Sequence, residues 1–287
     1  VSSSITATRP SSERIVSLLT LGHEAIAQVW RHRHLIRTLA ARELSARFRG
    51  SAFGGLWAVL QPIALVAIFY YVLAVIFRAR WSPTSTSDAD FIIGIFTGLL
   101  VYGLFAETVS RSTGAVSGSP NYVKKIVFPI TILPIVQLVF ALVNFAIGLV
   151  VLLAFGLLSG AAALHLATPT LVLALLPVAL WALGVGWFCA ALNVYFRDTG
   201  VIVPLLLQAL MFLSPVFYSF ERVPETAKFW VGWSPLTIPI SEAHDILMKG
   251  QAANLEALFA PTLVGLAVMV LGYAFFRKVK PGFADVL

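Results

Sequence analysis

Six stretches of this chain run for about 20 residues with scarcely a charge in them, and no other feature restricts the fold so severely. They are residues 53–77, 91–109, 134–158, 169–193, 201–220 and 257–276. A helix rises about 1.5 Å per residue, so about 20 apolar residues cover the roughly 30 Å hydrocarbon core of a bilayer. In lipid each backbone N–H and C=O must be satisfied within the segment, which a helix does. The expected fold is all-α: a polytopic membrane protein with six transmembrane helices. The second stretch is the weakest, because residues 91–106 number only 16 and reaching full length admits Glu107.

Composition agrees. Apolar residues (AVILMFWYC) make up 59 % of the chain and charged residues 11 %, whereas soluble domains hold about 45–50 % and about 25 %. The formal charge of +7 would raise nucleic acid as a partner if the arginines gathered on an exposed folded face. They flank apolar runs instead, so no nucleic acid is expected. The single Cys189 lies inside one such run and rules out a disulfide framework or thiolate metal cluster within one chain. The Ser/Thr-rich opening residues carry no long apolar core or A-x-A site, so no cleavable signal peptide is expected.

Lys and Arg are retained on the cytoplasmic side of a membrane. With six spans both termini share a side, and fifteen of the twenty basic residues fall there. Both ends are therefore expected in the cytoplasm, as a segment over 1–34 and a tail over 278–287, with the transmembrane domain over 35–277.

Within "RELSARFRGSAFGGLWAVLQP", residues 42–62, a charged strip leads straight into the first apolar run. Over 35–49, Leu35, Ile36, Leu39, Leu44 and Phe48 recur at spacings near four. Arg37, Arg42, Glu43, Arg47 and Arg49 fall largely elsewhere on the helical wheel. The pattern predicts an N-terminal amphipathic interface helix in the membrane plane, apolar face in the acyl boundary and guanidinium groups among phosphates. Gly50, Gly54 and Gly55 permit the bend into the first span. From periodicity alone such an elbow is equally a simple membrane anchor.

Two loops are unusual. "RSTGAVSGSPNYVKKIVFPITILP", between the second and third spans, joins a polar turn, a basic pair and an apolar segment with Pro129 and Pro134. A mere connector would be shorter and more polar. Residues 221–256 contain "FWVGW" and "LTIPI", too apolar for a solvated loop and too short to cross twice. They are expected to form re-entrant or interfacial half-helices broken near Ser234 and Pro235; a surface loop with an aromatic belt is the alternative. The run "AAALHL" at 161–166 is expected to be a loop or interfacial turn.

Signs of covalent chemistry are missing. No G-x-x-x-x-G-K-[ST] occurs, so the chain has no P-loop of its own, and no G-x-G-x-x-G follows a strand. "GVG" at 184–186 lies in a span, where glycines allow close helix packing. The five histidines lack ligand spacing, and no Ser/His/Asp constellation can be argued. No catalytic, cofactor or metal residues are expected. An ion-coupled carrier would want acids near mid-span, and none of the six stretches offers one.

Taken together, several stretches resemble a known family. "ARELSARFRGSAFGGLWAVLQP" is similar to the R-D-x-x-x-R-[YF]-R-x-S-x-L-G-x-L-W-x-x-L-x-P signature of permease subunits of type-2 ABC exporters that move polysaccharides. Arg42, Arg47, Phe48, Arg49, Ser51, Gly54, Leu56, Trp57, Leu60 and Pro62 match; Glu43 replaces Asp and Phe53 replaces Leu. "NYVKKIVFPITILP" resembles the family's N-x-x-x-[KR]-K-[VI]-x-F-P-x-x-[IL]-L-P loop through Asn121, Lys124, Lys125, Phe128, Pro129, Leu133 and Pro134. "LNVYFRD", "SPVFY" and "SPLTIPISEAHDIL" look like further family blocks. In the last, Ser234 replaces Asn and Asp245 stands near the usual Arg, so no role of that arginine is carried over. The similarity covers roughly residues 35–277 and looks closer to O-antigen and teichoic-acid exporters than to capsule exporters.

The resemblance implies a homodimer of permeases in the bacterial inner membrane with two copies of a separate ATP-binding subunit, which would hold ATP and Mg. It implies a lipid-linked polysaccharide as cargo, and a coupling helix after the second span that docks on the ATPase. On that footing Asn121, Lys124, Lys125 and Phe128 are the expected coupling residues, although the lysines alone would equally satisfy the positive-inside rule. Arg42, Glu43, Arg47 and Arg49 belong to the interface helix. Tyr70, Tyr71, Tyr102 and Tyr218 are candidate pathway residues, because tyrosine pairs a flat face for sugar rings with a hydroxyl; packing or an interface belt would explain each singly. A small drug or lipid as cargo, or a carrier acting alone, are the other readings.

Overall fold

Arg33–Arg47 forms a helix, α1, and Gly50 and Gly54, at φ +81° and +49°, turn the chain out of it. Side chains with a Cβ adopt such angles with difficulty, so the glycines make the elbow. The structure, a computed structural model, describes residues 22, 24, 27–47, 49–78, 80–81, 88–123, 128–160 and 165–287. Among these all regular elements are helical.

Beyond the elbow, α2 spans Trp57–Tyr70 and continues through a π-helical turn, Tyr71–Ile76. The long helix α3 (Asp88–Ala115) leads to the short α4 (Pro120–Val123), followed by α5 (Leu133–Ser159) and α6 (Leu171–Tyr195). Then come α7 (Thr199–Leu213), the pair α8 (Glu225–Gly232) and α9 (Thr237–Lys249), α10 (Leu255–Val279) and α11 (Phe283–Val286). The start of α10 is fixed by Asn254, whose side chain accepts from the N–H groups of Glu256 and Ala257, an N-cap.

Among the described residues five helical stretches are long and apolar enough to cross a bilayer: Gly54–Ile76, Asp88–Ala115, Ile130–Ser159, Thr168–Tyr195 and Leu255–Val286. The chain is a multi-pass membrane protein. The stretch expected as a span over 201–220 differs, because α7 has 15 residues and stops at Leu213, covering about 22 Å. Pro215 disfavours the α conformation in the residue before it, and Ser214 is extended (φ −108°, ψ 151°). The Ser214 hydroxyl donates to or accepts from that of Ser234 at 2.7 Å. This ties the end of α7 to the break between α8 and α9, which falls at Trp233–Leu236.

Helix α3 is central, touching α5, α6, α7 and α9. One apolar core gathers Phe96, Tyr102, Phe105, Phe145, Leu152, Val178 and Ile240 around it. A second, at the end carrying α1, gathers Ile36, Ala40, Ile132, Trp187, Phe276 and Phe283. The tightest pairing is α6 with α10: a Cβ on Gly272 would lie 2.0 Å from the Gly184 carbonyl oxygen, so the two main chains meet there without side chains between. Close packing at "GVG" is thus realised. Helix α2 is the opposite case. Only 6 % of its most apolar stretch is buried against the protein, compared with 61 % for α3.

Candidate coupling joint and transport path

The sequence Glu-x-x-x-Arg occurs on α1, as Glu43 and Arg47, and again on α3, as Glu107 and Arg111. Residues four apart share one helix face, and here the two faces meet in opposite directions. Arg47 Nη1 donates to Glu107 Oε1 at 3.0 Å, and Arg111 Nη2 to Glu43 Oε2 at 2.6 Å. Helix α5 completes the joint from one stripe of its own. Gln137 Oε1 accepts from Arg111 Nε at 2.7 Å, and Asn144 Nδ2 donates to Glu107 Oε2 at 2.8 Å. Between them sits the ring of Phe140, fully buried. Arg111 lies 3.9 Å and Arg47 5.6 Å from its centroid, within range of cation–π attraction. From the start of α2, Gln61 Oε1 accepts from Arg47 Nη2 at 2.9 Å.

The joint therefore binds four helices, and the side chains of its Arg47–Glu107 pair are only 28 % and 26 % exposed. Removing one member of a pair withdrawn from water leaves the other without its partner, which costs more than the pair itself contributes. Two cavities flank it. One, of about 340 Å³, runs between α2, α3 and α5. The other, of about 780 Å³, lies between α1, the last turns of α3, and α4, with Arg42, Ser119 and Tyr122 in its wall.

The expected interface-helix residues take different places. Glu43 and Arg47 turn to the bundle. Arg42 Nη1 donates to the Tyr122 hydroxyl at 3.3 Å, and Arg49 is exposed at the elbow. The apolar side of α1 is covered in part by protein, since Ile36 and Ala40 are buried in the same cluster as Val116, Ile130 and Ile132. Of the expected coupling residues, Asn121 lies on α4. Phe128 stacks on Tyr122 with centroids 4.3 Å apart and planes 11° from parallel. Lys124 and Lys125 lie outside the described residues. Tyr122 thus connects the loop to α1 through Arg42.

The four candidate pathway tyrosines are not in contact through their hydroxyls. Tyr70 donates to Asp88 Oδ2 at 3.0 Å, Tyr102 to the Leu207 carbonyl at 2.7 Å, and Tyr218 to the Phe212 carbonyl at 3.0 Å. Tyr102 is buried and ties α3 to α7, whereas Tyr71 is 60 % exposed. Among the described residues no group of three or more His, Cys, Asp or Glu could hold a metal ion.

Sequence reasoning missed the joint. Glu107 reads there as a burden on the second span and Arg111 as one more basic residue beyond it. The available signal was the repeated Glu-x-x-x-Arg, with its acid already inside an apolar stretch.

A family model described as "ABC-2 type transporter" matches residues 34–248, from the start of α1 to the end of α9. The O-antigen export system permease protein RfbA of Klebsiella pneumoniae is 24 % identical over 260 residues, covering 88 % of this chain and 95 % of that protein. RfbA of Myxococcus xanthus is 26 % identical over 267 residues, covering 91 % and 98 %. The polysialic acid transport protein KpsM of Escherichia coli is 25 % identical over 251 residues, covering 84 % and 92 %.

Proposed function

This chain belongs to the ABC-2 type transporter family, and from that premise we propose that it is the permease subunit of an ATP-driven exporter moving a lipid-linked, O-antigen-like polysaccharide across the bacterial inner membrane. The observation that carries the cargo is the near-full-length similarity to permeases named for O-antigen export in two organisms. Both termini face the cytoplasm in this reading, because that side then holds most of the Lys and Arg. ATP and Mg are bound by a separate ATP-binding subunit, present in two copies with two copies of the permease.

A glycan cannot cross hydrocarbon unaided, since each hydroxyl stripped of water without a partner costs a few kcal/mol. A long chain needs a continuous wet path, and two permeases enclose one between them. The largely uncovered α2 and the exposed Leu205, Leu206 and Phe212 of α7 supply surface for that second copy. Tyr71, uncovered on α2, offers its ring to the path; Tyr70 and Tyr218 stand at its margins, and Tyr102 acts by holding α3 to α7. On the cytoplasmic side the loop carrying Asn121, Lys124, Lys125 and Phe128 receives the ATPase. Tyr122 and Arg42 pass its displacement to α1, and the paired ions pass it on to α3.

The test is ATP turnover by the permease co-purified with its ATP-binding subunit in lipid. A lipid-linked glycan is expected to stimulate turnover and a small amphiphile to leave it at the basal rate; the reverse order would replace the polysaccharide with a small cargo. Reversing the charge of Lys124 and Lys125 together is expected to leave an inserted complex whose turnover no longer responds to the glycan.

A further inference from the structure

The crevice of about 340 Å³ between α2, α3 and α5 has no part in the transport scheme above, and its two ends differ in chemistry. One end is made by Arg47, Gln61, Glu107 and Asn144, joined by the hydrogen bonds of the joint. The other is made by Leu65, Leu99, Leu100 and Gly148, the last lying beside Leu100. Along α3 the way from Glu107 to Leu100 is two turns, about 10 Å. Gly103 lies between them, and a Cβ there would meet nothing within 4 Å, so the helix backbone borders open space. On the facing wall Pro62 lacks the N–H that would reach the carbonyl of Ala58, and both residues line the crevice.

A polar end and a two-turn apolar sleeve beside a largely uncovered helix fit the head and chain of a membrane amphiphile. Charge selects the head. Arg47 and Glu107 sum to zero, so a head of net charge meets one opposite and one like charge within a few ångströms, and the like charge opposes entry. A head carrying both signs satisfies both. Glu107 has room for it, because a carboxylate offers about four acceptor positions and Arg47 and Asn144 each take one of its oxygens.

We propose that this crevice binds a zwitterionic phospholipid of the surrounding bilayer, its ammonium group against Glu107, its phosphate against Arg47, and an acyl chain along Leu65, Leu99 and Leu100. A lipid-linked diphosphate is disfavoured, since it brings negative charge to a site that already holds a carboxylate. The lipid would brace the joint where α1 passes into α2, and the inference stands whatever the exported cargo is.

The full-length protein, purified in neutral detergent, is mixed with phosphatidylethanolamine, phosphatidylglycerol or an uncharged monoglycosyl diacylglycerol, and retained lipid is read by native mass spectrometry. Phosphatidylethanolamine is expected to be retained roughly fivefold over the other two, the preference that one partly screened ion pair supports. Gly103→Leu fills the sleeve and is expected to abolish retention. Glu107→Gln adds no volume and is expected to remove the preference, a result that stands even if Gly103→Leu disturbs packing. Equal retention of all three lipids, preference for the anionic or the sugar head, or an unchanged preference in Glu107→Gln overturns the proposal.

Discussion

Closed in by the edge of Trp81, whose ring centroid is 4.7 Å away, His244 shares its Nε2 with the carbonyl of Gly94 at 2.9 Å. Because that carbonyl only accepts, Nε2 carries the proton. Burial pushes the imidazole down to about 4; Lys249 adds to this, while the Gly94 bond and Asp245 oppose it. The sign follows from the depressed value. Below its ordinary pKa the unfolded chain takes up a proton that the folded one refuses, so stability is full above about pH 6.5 and falls as pH drops toward 4, by up to roughly 3 kcal/mol. The thermal midpoint of the purified protein should therefore be lower at pH 5 than at pH 7, and His244→Gln should lose much of that difference. An equal drop in both proteins would assign the effect to other groups. The pocket exists because residue 94 is glycine: a Cβ there would lie 2.5 Å from the Trp81 ring.

Between elements, the joint of α1 with α3 makes a pairing rule that can be tested by exchange. Glu107→Arg would place three guanidinium groups around Phe140 and take from Arg47 and Asn144 the carboxylate to which both donate, at a cost of about 1–3 kcal/mol. Adding Arg47→Glu restores opposite charges across the pair and should recover most of the loss in thermal midpoint. A double variant no better than the single one would show that Arg47 and Glu107 act independently. Much at this scale was legible in the sequence. Apolar length marks the five long crossings, and the glycines at 50 and 54 mark the elbow. The break near Ser234 and Pro235 also follows from residue type. The end of α7 was not foreseen, because hydropathy runs on through Phe217 and Phe220 while the backbone turns at the Ser214–Pro215 bond. The ion pairs were hidden for another reason. Glu-x-x-x-Arg is visible twice, but its partners are 60 and 68 residues apart, and only the antiparallel meeting of α1 and α3 brings them together.

For the molecule as a whole, the uneven cover of its helices argues that one copy is incomplete. After Leu213 the chain leaves helical geometry, and the irregular backbone there is covered by this chain itself, since Ser214 and Val216 are fully buried, the cover that such backbone requires within a bilayer. What stays open is the outer side of α2 and of α7, which in the proposed assembly a second copy covers. Native mass measurement of the complex, in which each permease contributes 31.1 kDa, should find two permeases for two ATP-binding subunits; a single permease per complex would contradict this assembly. Because the main chains at Gly184 and Gly272 touch, α6 and α10 stand as a fixed post that cannot slide without breaking its contact. In the proposed assembly a widening of the passage is then a swing of α2, hung by its charged corner from α3 and α5 like a door on its jamb.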